Sequence, residues 1–311
     1  MVAAFDRWTR RSAVGIAVAA PAKLNLSLAV LARRPDGYHE IESLMVPVSL
    51  ADTLTVRARD DDRFTLAVRR GGRLARHAAL AADVPADESN LVIRAARALA
   101  AETGVGRGLD VDLVKRIPSG AGLGGGSSDA AAVLRAAAAA WGVADDPVRL
   151  MAVGARIGSD VPWFFAGGAA IVGGRGELVG AALALPAIDV VVARPAGGLS
   201  TPEVYGRCRP DAGRRGCAAR LAAALAAGRW REAVAGQHND LESPASELSA
   251  DVGRLLAAMR GAGAVRPMLT GSGSACFALA RGTMEARRIA ARLEAAGWPG
   301  VWVVRTESRT G

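Results

Sequence analysis

From residue 24 onward the chain alternates, with Leu24, Leu26 and Leu28 on one side and Lys23, Asn25 and Ser27 on the other. A period of two predicts a strand with an apolar underside and a polar, chemically capable top. The apolar run 13–20 before it predicts a first strand. Arg34-Pro35-Asp36-Gly37 predicts a turn, with Tyr38-His39-Glu40 directly after it and further strands over 41–50 and 53–59. Asp60-Asp61-Asp62 reads as an exposed turn, and residues 71–87 as irregular chain. The period then lengthens. Residues 91–102 are apolar at helical spacing, with Ser89 or Asn90 as N-cap. Residues 109–117 return to strand alternation, 130–141 are strong helix formers, and 147–157 are helical again.

The later half reads strand (189–193), helix (218–227), helix (248–260), strand (267–269), strand (275–280), helix (284–296) and strand (301–305). Apart from one extra helix this is β-α-β-β-α-β, a ferredoxin-like layer. A composition shift over 181–186 marks a domain boundary. The expected division is a frayed extension at 1–13, an N-terminal domain at 14–182 and a C-terminal domain at 183–311. The overall class is α+β.

The chain is organised around Pro118-Ser119-Gly120-Ala121-Gly122-Leu123-Gly124-Gly125-Gly126-Ser127-Ser128-Asp129. Glycines here let the backbone approach a ligand closely and take positive φ. They lead into a helix, with Ser127, Ser128 and Asp129 as candidate caps. Free N–H groups at the positive end of a helix dipole favour an anion such as phosphate. A P-loop needs Gly-Lys-Ser/Thr at its end, and no Lys follows these glycines. Gly120, Gly122 and Gly125 do match the dinucleotide fingerprint. The half-polar strand Asp110-Val111-Asp112-Leu113 argues against it, because the first strand of that fold is buried on both faces.

Two further segments carry candidate chemistry. Asp160 lies between Gly158-Ser159 and Pro162, next to Trp163-Phe164-Phe165, a setting for a tuned acid or base and equally for a turn aspartate. Leu269-Thr270-Gly271-Ser272-Gly273-Ser274 is a second loop of glycines and hydroxyls between strands, which is also the pattern of a tight hairpin.

Composition narrows the classes. Hydrophobic residues make up 51 % of the 311, enough for two folded cores. The net charge of +9 suits nucleic acid or anionic substrates, but the basic residues are scattered and aromatics are only 4 %, so no stacking platform for nucleic acid is visible. Cys208, Cys217 and Cys276 form no CxxC pair, which predicts reduced thiols and no protein metal cage. Arg10-Arg11 before the apolar run 13–20 is the pattern of a short export signal; a plain strand is the other reading. Of 39 basic residues only Lys23 and Lys115 are lysine, and the only tyrosines are Tyr38 and Tyr205. A chain this rich in arginine keeps lysine where a compact ammonium is needed.

Pro-Ala-Lys-Leu-Asn-Leu at 21–26, the glycine loop at 118–128 and Leu-Thr-Gly-Ser-Gly-Ser at 269–274 stand in the order found in the GHMP small-molecule kinase superfamily, which the chain resembles. The triple glycine at 124–126, Pro-Asp-Gly-Tyr-His-Glu at 35–40 and Gly-Ser-Asp-Val-Pro at 158–162 are similar to the branch acting on a cytidine-diphosphate-linked methylerythritol in non-mevalonate isoprenoid synthesis. The resemblance implies a two-domain fold with a ribosomal-S5-like N-terminal domain, and transfer of phosphate from ATP with Mg²⁺ to an alcohol. It implies that Pro118, Ser119, Gly120, Ala121, Gly122, Leu123, Gly124, Gly125, Gly126, Ser127 and Ser128 wrap the ATP phosphates, with Asn90 and Lys115 near the nucleoside. It makes Asp160 the base on the acceptor hydroxyl, with Lys23 beside it. Asn25, Tyr38, His39, Asp129, Thr201 and Tyr205 fall on the acceptor side, and Gly271, Ser272 and Gly273 close the site. The expected protein is a cytoplasmic monomer or weak homodimer that binds small molecules and neither nucleic acid nor membrane. Two readings remain beside this one at the level of sequence. Another GHMP kinase, of homoserine or mevalonate type, keeps the ATP loop without the Tyr38, His39 and Tyr205 group. A basic S5-like nucleic-acid binder accounts for the charge and leaves Asp160 without a role.

Overall fold

The computed structural model describes residues 9–12, 15–80 and 83–307. The alternating segments of the first half build one large sheet. Its strands are β1 (Thr9–Ser12), β2 (Gly15–Arg33), β3 (His39–Ala58), β4 (Phe64–Arg70), β5 (Leu109–Lys115), β6 (Ala170–Gly173) and β7 (Leu178–Val179). The main order is β1-β2-β3-β5-β4, with β6 on β3 and β7 on β6. Helices α1 (Gly72–Arg76), α2 (Leu91–Thr103), α3 (Gly125–Trp141) and α4 (Pro147–Ile157) complete this half. Val92 and Leu99 of α2, Val133 and Leu134 of α3 and Val153 of α4 meet Leu54, Leu109 and Leu113 of the sheet in one core.

Several elements differ from expectation. The two strands expected over 13–28 are one, and so are the two expected over 41–59. A register shift at Pro21/Ala22, opposite Ala51 and Val48, takes up the proline without ending the pairing, and two further shifts follow at Asn25/Ser27 and Val30/Ala32. Of the extension expected to fray, residues 9–12 pair with β2 from Thr9↔Val18 to Ser12↔Gly15; the rest of 1–13 lies outside the described residues, as does Val14 of the apolar run. β4 has no predicted counterpart, although Phe64, Leu66 and Val68 alternate; it lies parallel to β5. The stretch expected to be irregular holds α1 and a short 3₁₀ turn at Ala78–Leu80.

The second sheet is formed by β8 (Asp189–Arg194), β10 (Met268–Leu269), β11 (Cys276–Ala280) and β12 (Gly300–Arg305), in the order β10-β11-β8-β12. Between β8 and β10 come α5 (Thr201–Arg207), α6 (Cys217–Ala226), α7 (Trp230–Gly236), β9 (His238–Asn239), α8 (Glu242–Leu248) and α9 (Ala250–Gly261), and α10 (Thr283–Ala295) precedes β12. Strand order and the antiparallel pairing match the ferredoxin-like expectation. The halves are not separate bodies. β9 pairs in parallel with β2, Val48 bridges to Thr306, and Leu24, Leu26 and Leu44 share a core with Val190, Val192 and Phe277. The polar top of β2 is covered in turn by the glycine loop and the 269–274 loop, so that Lys23, Asn25 and Ser27 are all buried. No described helix is long and apolar enough to cross a membrane.

Candidate active site

The glycine loop runs from the end of β5 to the first turn of α3. The expected caps Ser127, Ser128 and Asp129 sit inside the helix instead. The N-cap is Gly124 at φ +69°, with no side chain closing the helix end, so the first N–H groups of α3 are not tied up by a cap. The loop is knitted to both halves of the molecule. Lys23 N donates to Leu123 O (3.0 Å), and Ala275 N donates to Ala121 O (3.1 Å). Gly122, at φ +74°, lies so close to the second loop that a Cβ there would fall 2.2 Å from Thr270 O. A Cβ on Gly124 would fall 2.8 Å from Lys23 Cγ. Glycine is required at both positions because backbone and lysine stem occupy the space.

Lys23 is 4 % exposed and its ammonium donates to Asn25 Oδ1. Its Nζ lies 3.7 Å from Asp160 Oδ2, and the Asp160 side chain is 35 % exposed to the cavity. Burial pulls the Lys23 pKa down, and the Asp160 carboxylate partly restores it. Asn25 is held from three directions: Nδ2 donates to Ser43 Oγ (2.8 Å), its backbone N donates to Thr270 Oγ1 (3.0 Å), and Oδ1 accepts from Lys23. The Asp160 turn packs on Gly176, whose position lies 3.4 Å from Asp160 Oδ1 if a Cβ is added.

Lys23, Asn25 and Asp160 line a cavity of 720 Å³ that also reaches Tyr38, His39, Gly120, Gly122, Gly124, Thr201, Tyr205, Gly271, Ser272 and Gly273. Residues from six separate segments thus meet in one place. His39 and Tyr205 rings lie 5.2 Å apart at 33°. Tyr38 is 51 % exposed at its loop tip, with the Arg175 guanidinium 4.7 Å over its ring. Thr201 Oγ1 and Ser272 Oγ share a hydrogen bond of 2.7 Å. The place of Tyr205 three residues past Thr201-Pro202 in the sequence predicts a position outside regular structure, but the residue is half-buried on α5; Thr201-Pro202 opens that helix with proline in its first turn. Burial, with Asp160 and Cys208 adding, raises the Tyr205 phenol pKa and keeps it protonated. Burial lowers His39, with Arg33 adding to the shift.

A second cavity of 580 Å³ lies across the loop, lined by Ser119 and Lys115 with Val68, Leu74, Leu80 and Val84. Asn90 does not line it; its Oδ1 caps α2 by accepting from Val92 N (2.9 Å), and its Nδ2 donates to Pro85 O (2.6 Å). Asp129 lines neither cavity. It is buried and accepts from Lys115 Nζ (2.6 Å), which also donates to the fully buried Asp52. Pro118, Ala121 and Leu123 of the loop and Ser128 in the first turn of α3 are buried, Gly125 and Ser127 are half-buried, and Gly126 is exposed.

Four contributors went unnoticed in the sequence. Asp52 accepts from the backbone N of Arg116 and of Ile117 and so fixes the entry to the loop. Arg194 Nη1 donates to Ser119 O (3.2 Å) and its other nitrogens to Pro195 O and Ala196 O. Arg33 and Arg175 line the larger cavity. A chain with this many arginines offers no local signal that marks those three.

Comparison with known proteins agrees with this geometry. The GHMP kinases N terminal domain family matches residues 90–168, and the GHMP kinases C terminal family matches 221–299. A 4-diphosphocytidyl-2-C-methyl-D-erythritol kinase from Salinispora tropica is 43 % identical over 290 residues, covering 90 % of this chain and 88 % of that protein. A crystal structure of 4-(cytidine 5'-diphospho)-2C-methyl-D-erythritol kinase superposes with a TM-score of 0.74 at 36 % identity, covering 94 % of this chain and 99 % of that one. Homoserine kinase from Cytophaga hutchinsonii superposes with a TM-score of 0.72 at 18 % identity over 96 % of each chain, which shares the fold alone. The chain belongs to the GHMP kinases, within the family of the 4-diphosphocytidyl-2-C-methyl-D-erythritol kinases.

Proposed function

We propose that the protein transfers the γ-phosphoryl group of ATP to the 2-hydroxyl of 4-diphosphocytidyl-2-C-methyl-D-erythritol, in non-mevalonate isoprenoid precursor synthesis. The observation that carries this reading is the Lys23–Asp160 pair, 3.7 Å apart, at the wall of a cavity that the glycine loop also lines. Asp160 accepts the proton of the acceptor hydroxyl, and Lys23 offsets charge developing on the transferred group. The loop N–H groups hold the ATP phosphates, and the nucleoside lies in the cavity beside Lys115 and Ser119. The narrow cradle at Gly122 and Gly124, which a Cβ would fill, fits a phosphate chain. Mg²⁺ enters with the nucleotide, liganded by phosphate oxygens, and neutralises charge there.

The charged residues of the larger cavity are Lys23, Arg33 and Arg175 against Asp160. Three cations facing one carboxylate suit an acceptor that carries a diphosphate. Arg175 is the natural partner of that diphosphate, because it lies over Tyr38 while its neighbour Gly176 abuts Asp160. The cytosine then stacks among Tyr38, His39 and Tyr205.

Tyr205→Ala is expected to raise KM for the cytidine substrate roughly 5- to 150-fold, the range set by the loss of one stacking partner. KM for ATP should barely move, since the nucleoside cavity lies across the loop. Equal rises in both constants would assign Tyr205 to packing alone. The direct test of the function is turnover on a panel of alcohols, with ³¹P NMR locating the new phosphate. Turnover of homoserine or mevalonate, and none of the cytidine-linked acceptor, would sink the reading. We place the enzyme in the cytoplasm, a setting that suits the free thiols of Cys208, Cys217 and Cys276, and expect a monomer or weak dimer by sedimentation.

A further inference from the structure

We propose that a polar cavity behind the 269–274 loop is a regulatory site for a small phosphorylated metabolite, separate from both cavities described above. This cavity of 450 Å³ lies between β9, the C-terminal end of α9 and residues 265–268, and presents Arg214, His238, Asp240, Glu242, Arg260 and Arg266. Its volume falls within the span of small-molecule sites, and a lone phosphate would leave most of it empty.

The acids on its wall are already engaged. Asp240 Oδ2 accepts from Val30 N (2.9 Å), while Oδ1 faces Arg214 Nε at 3.7 Å. Glu242 Oε2 accepts from Leu269 N (2.9 Å). Of the arginines, Arg214 also faces Asp211 at 3.5 Å, but the other two are less engaged. Arg266 donates Nη2 to Gln237 O (2.7 Å), which leaves the rest of its guanidinium fork. Arg260, exposed on the last turn of α9, has no ion pair among those described. A ligand with a phosphate group meets two guanidinium forks here, the geometry that binds such groups in bidentate fashion.

His238, on the cavity wall, adds a pH dependence. Its Nδ1 lies 3.4 Å from Gly236 O, and its Nε2 is buried with no partner. Facing that carbonyl, Nδ1 carries the proton, so in neutral His238 the buried Nε2 is a bare acceptor. The negative charge of a bound oxyanion nearby favours the imidazolium. Burial keeps His238 neutral otherwise; the Gly236 carbonyl, Asp240 and Glu42 favour the charged form and Arg214 opposes it. Anion binding therefore strengthens as pH falls.

The cavity is wired to the acceptor site. Asn239 on its wall donates Nδ2 to both Leu269 O and Gly271 O (2.9 Å each), and Gly271 lines the acceptor cavity. His238 pairs with Ser27 on β2, the strand that carries Lys23 and Asn25. An occupant held by Arg260 and Arg266 against the Asn239–Glu242 wall bears directly on the loop closing the site.

Sulfate is a suitable probe, because it stays fully ionised from pH 6 to pH 8. The experiment uses the full chain saturated with ADP, so that the glycine loop is filled, and replaces chloride by sulfate in the low millimolar range at fixed ionic strength. The thermal midpoint is expected to rise with sulfate, more at pH 6 than at pH 8. Arg260→Glu, which alters an exposed side chain, is expected to weaken the sulfate effect roughly tenfold or more, while Arg260→Gln reports any cost of losing the side chain itself. Sulfate should also shift KM for the acceptor in the parent and not in Arg260→Glu; this arm rests on the proposed reaction, whereas the thermal arm does not. An equal midpoint shift in Arg260→Glu would mean an adventitious ion only, and no shift in the parent would overturn the site. A KM shift that is the same in both proteins would remove the regulatory role.

Discussion

Asp160→Asn is expected to lower kcat about a hundredfold or more while leaving ATP affinity nearly unchanged. The acceptor hydroxyl is tertiary and weakly nucleophilic, so its proton must be taken as the phosphoryl group arrives. Asn keeps the shape of Asp160 and removes the basic oxygen. Its partner Lys23 is fixed by Asn25 as well as by Asp160, so the ammonium remains in place in the variant and ATP phosphates still meet it. The pH profile should carry the mark of the same pair. Burial lowers the Lys23 pKa, with Asp160 opposing, so its ammonium is lost at lower pH than for a free lysine. The alkaline limb of kcat should accordingly fall below the usual lysine range. A variant whose kcat stays within a few-fold of the parent would remove Asp160 from the role of base, and an alkaline limb at or above the free-lysine value would detach Lys23 from the rate.

What could be read from the sequence was what local pattern encodes. The period of two placed Lys23 and Asn25 on one face of β2, and that face does line the cavity. The run of glycines before an alanine-rich segment gave the loop and α3, with positive φ at Gly120, Gly122 and Gly124 just ahead of strong helix formers. The cap was misassigned because hydroxyls are the usual caps, whereas this helix begins three residues earlier at a bare glycine. Long-range partners left no local trace. Asp52 reads as a strand-breaking polar residue until β5 places two backbone N–H groups and Lys115 against it. Arg33, Arg175 and Arg194 are three arginines among many, and only folding shows which face a cavity or span a loop. Tyr205 was picked out by rarity, which located it without revealing the helix that holds it.

Lys115→Met is expected to destabilise the fold by about 3–5 kcal/mol at pH 8, the cost of removing one partner from a buried ionic cluster. Lys115 Nζ stands between Asp52 and Asp129, both buried, and directly beneath Gly125 at the start of α3. Met fills the stem volume but leaves two carboxylates facing each other without a cation. Burial alone would lower the Lys115 pKa; Asp129 and Asp52 overcome it and raise the value, so the lysine adds stability throughout the range below the usual lysine pKa. Asp129 behaves in the opposite sense to an exposed carboxylate. Burial raises it to about 7, Lys115 pulls it down and Asp52 pushes it up. A carboxyl whose folded pKa is raised binds protons more tightly folded than unfolded, so its contribution is present at low pH and is lost as pH climbs from about 4 towards 7. Without Lys115, which pulls it down, the Asp129 carboxyl holds its proton still more tightly, and acidification neutralises the repulsion that the substitution creates. The penalty in Lys115→Met should therefore shrink between pH 8 and pH 5.5, by urea unfolding of parent and variant at each pH. A penalty of equal size at both would mean that Lys115 contributes packing rather than charge, and the buried triad beneath the phosphate loop would lose its electrostatic account.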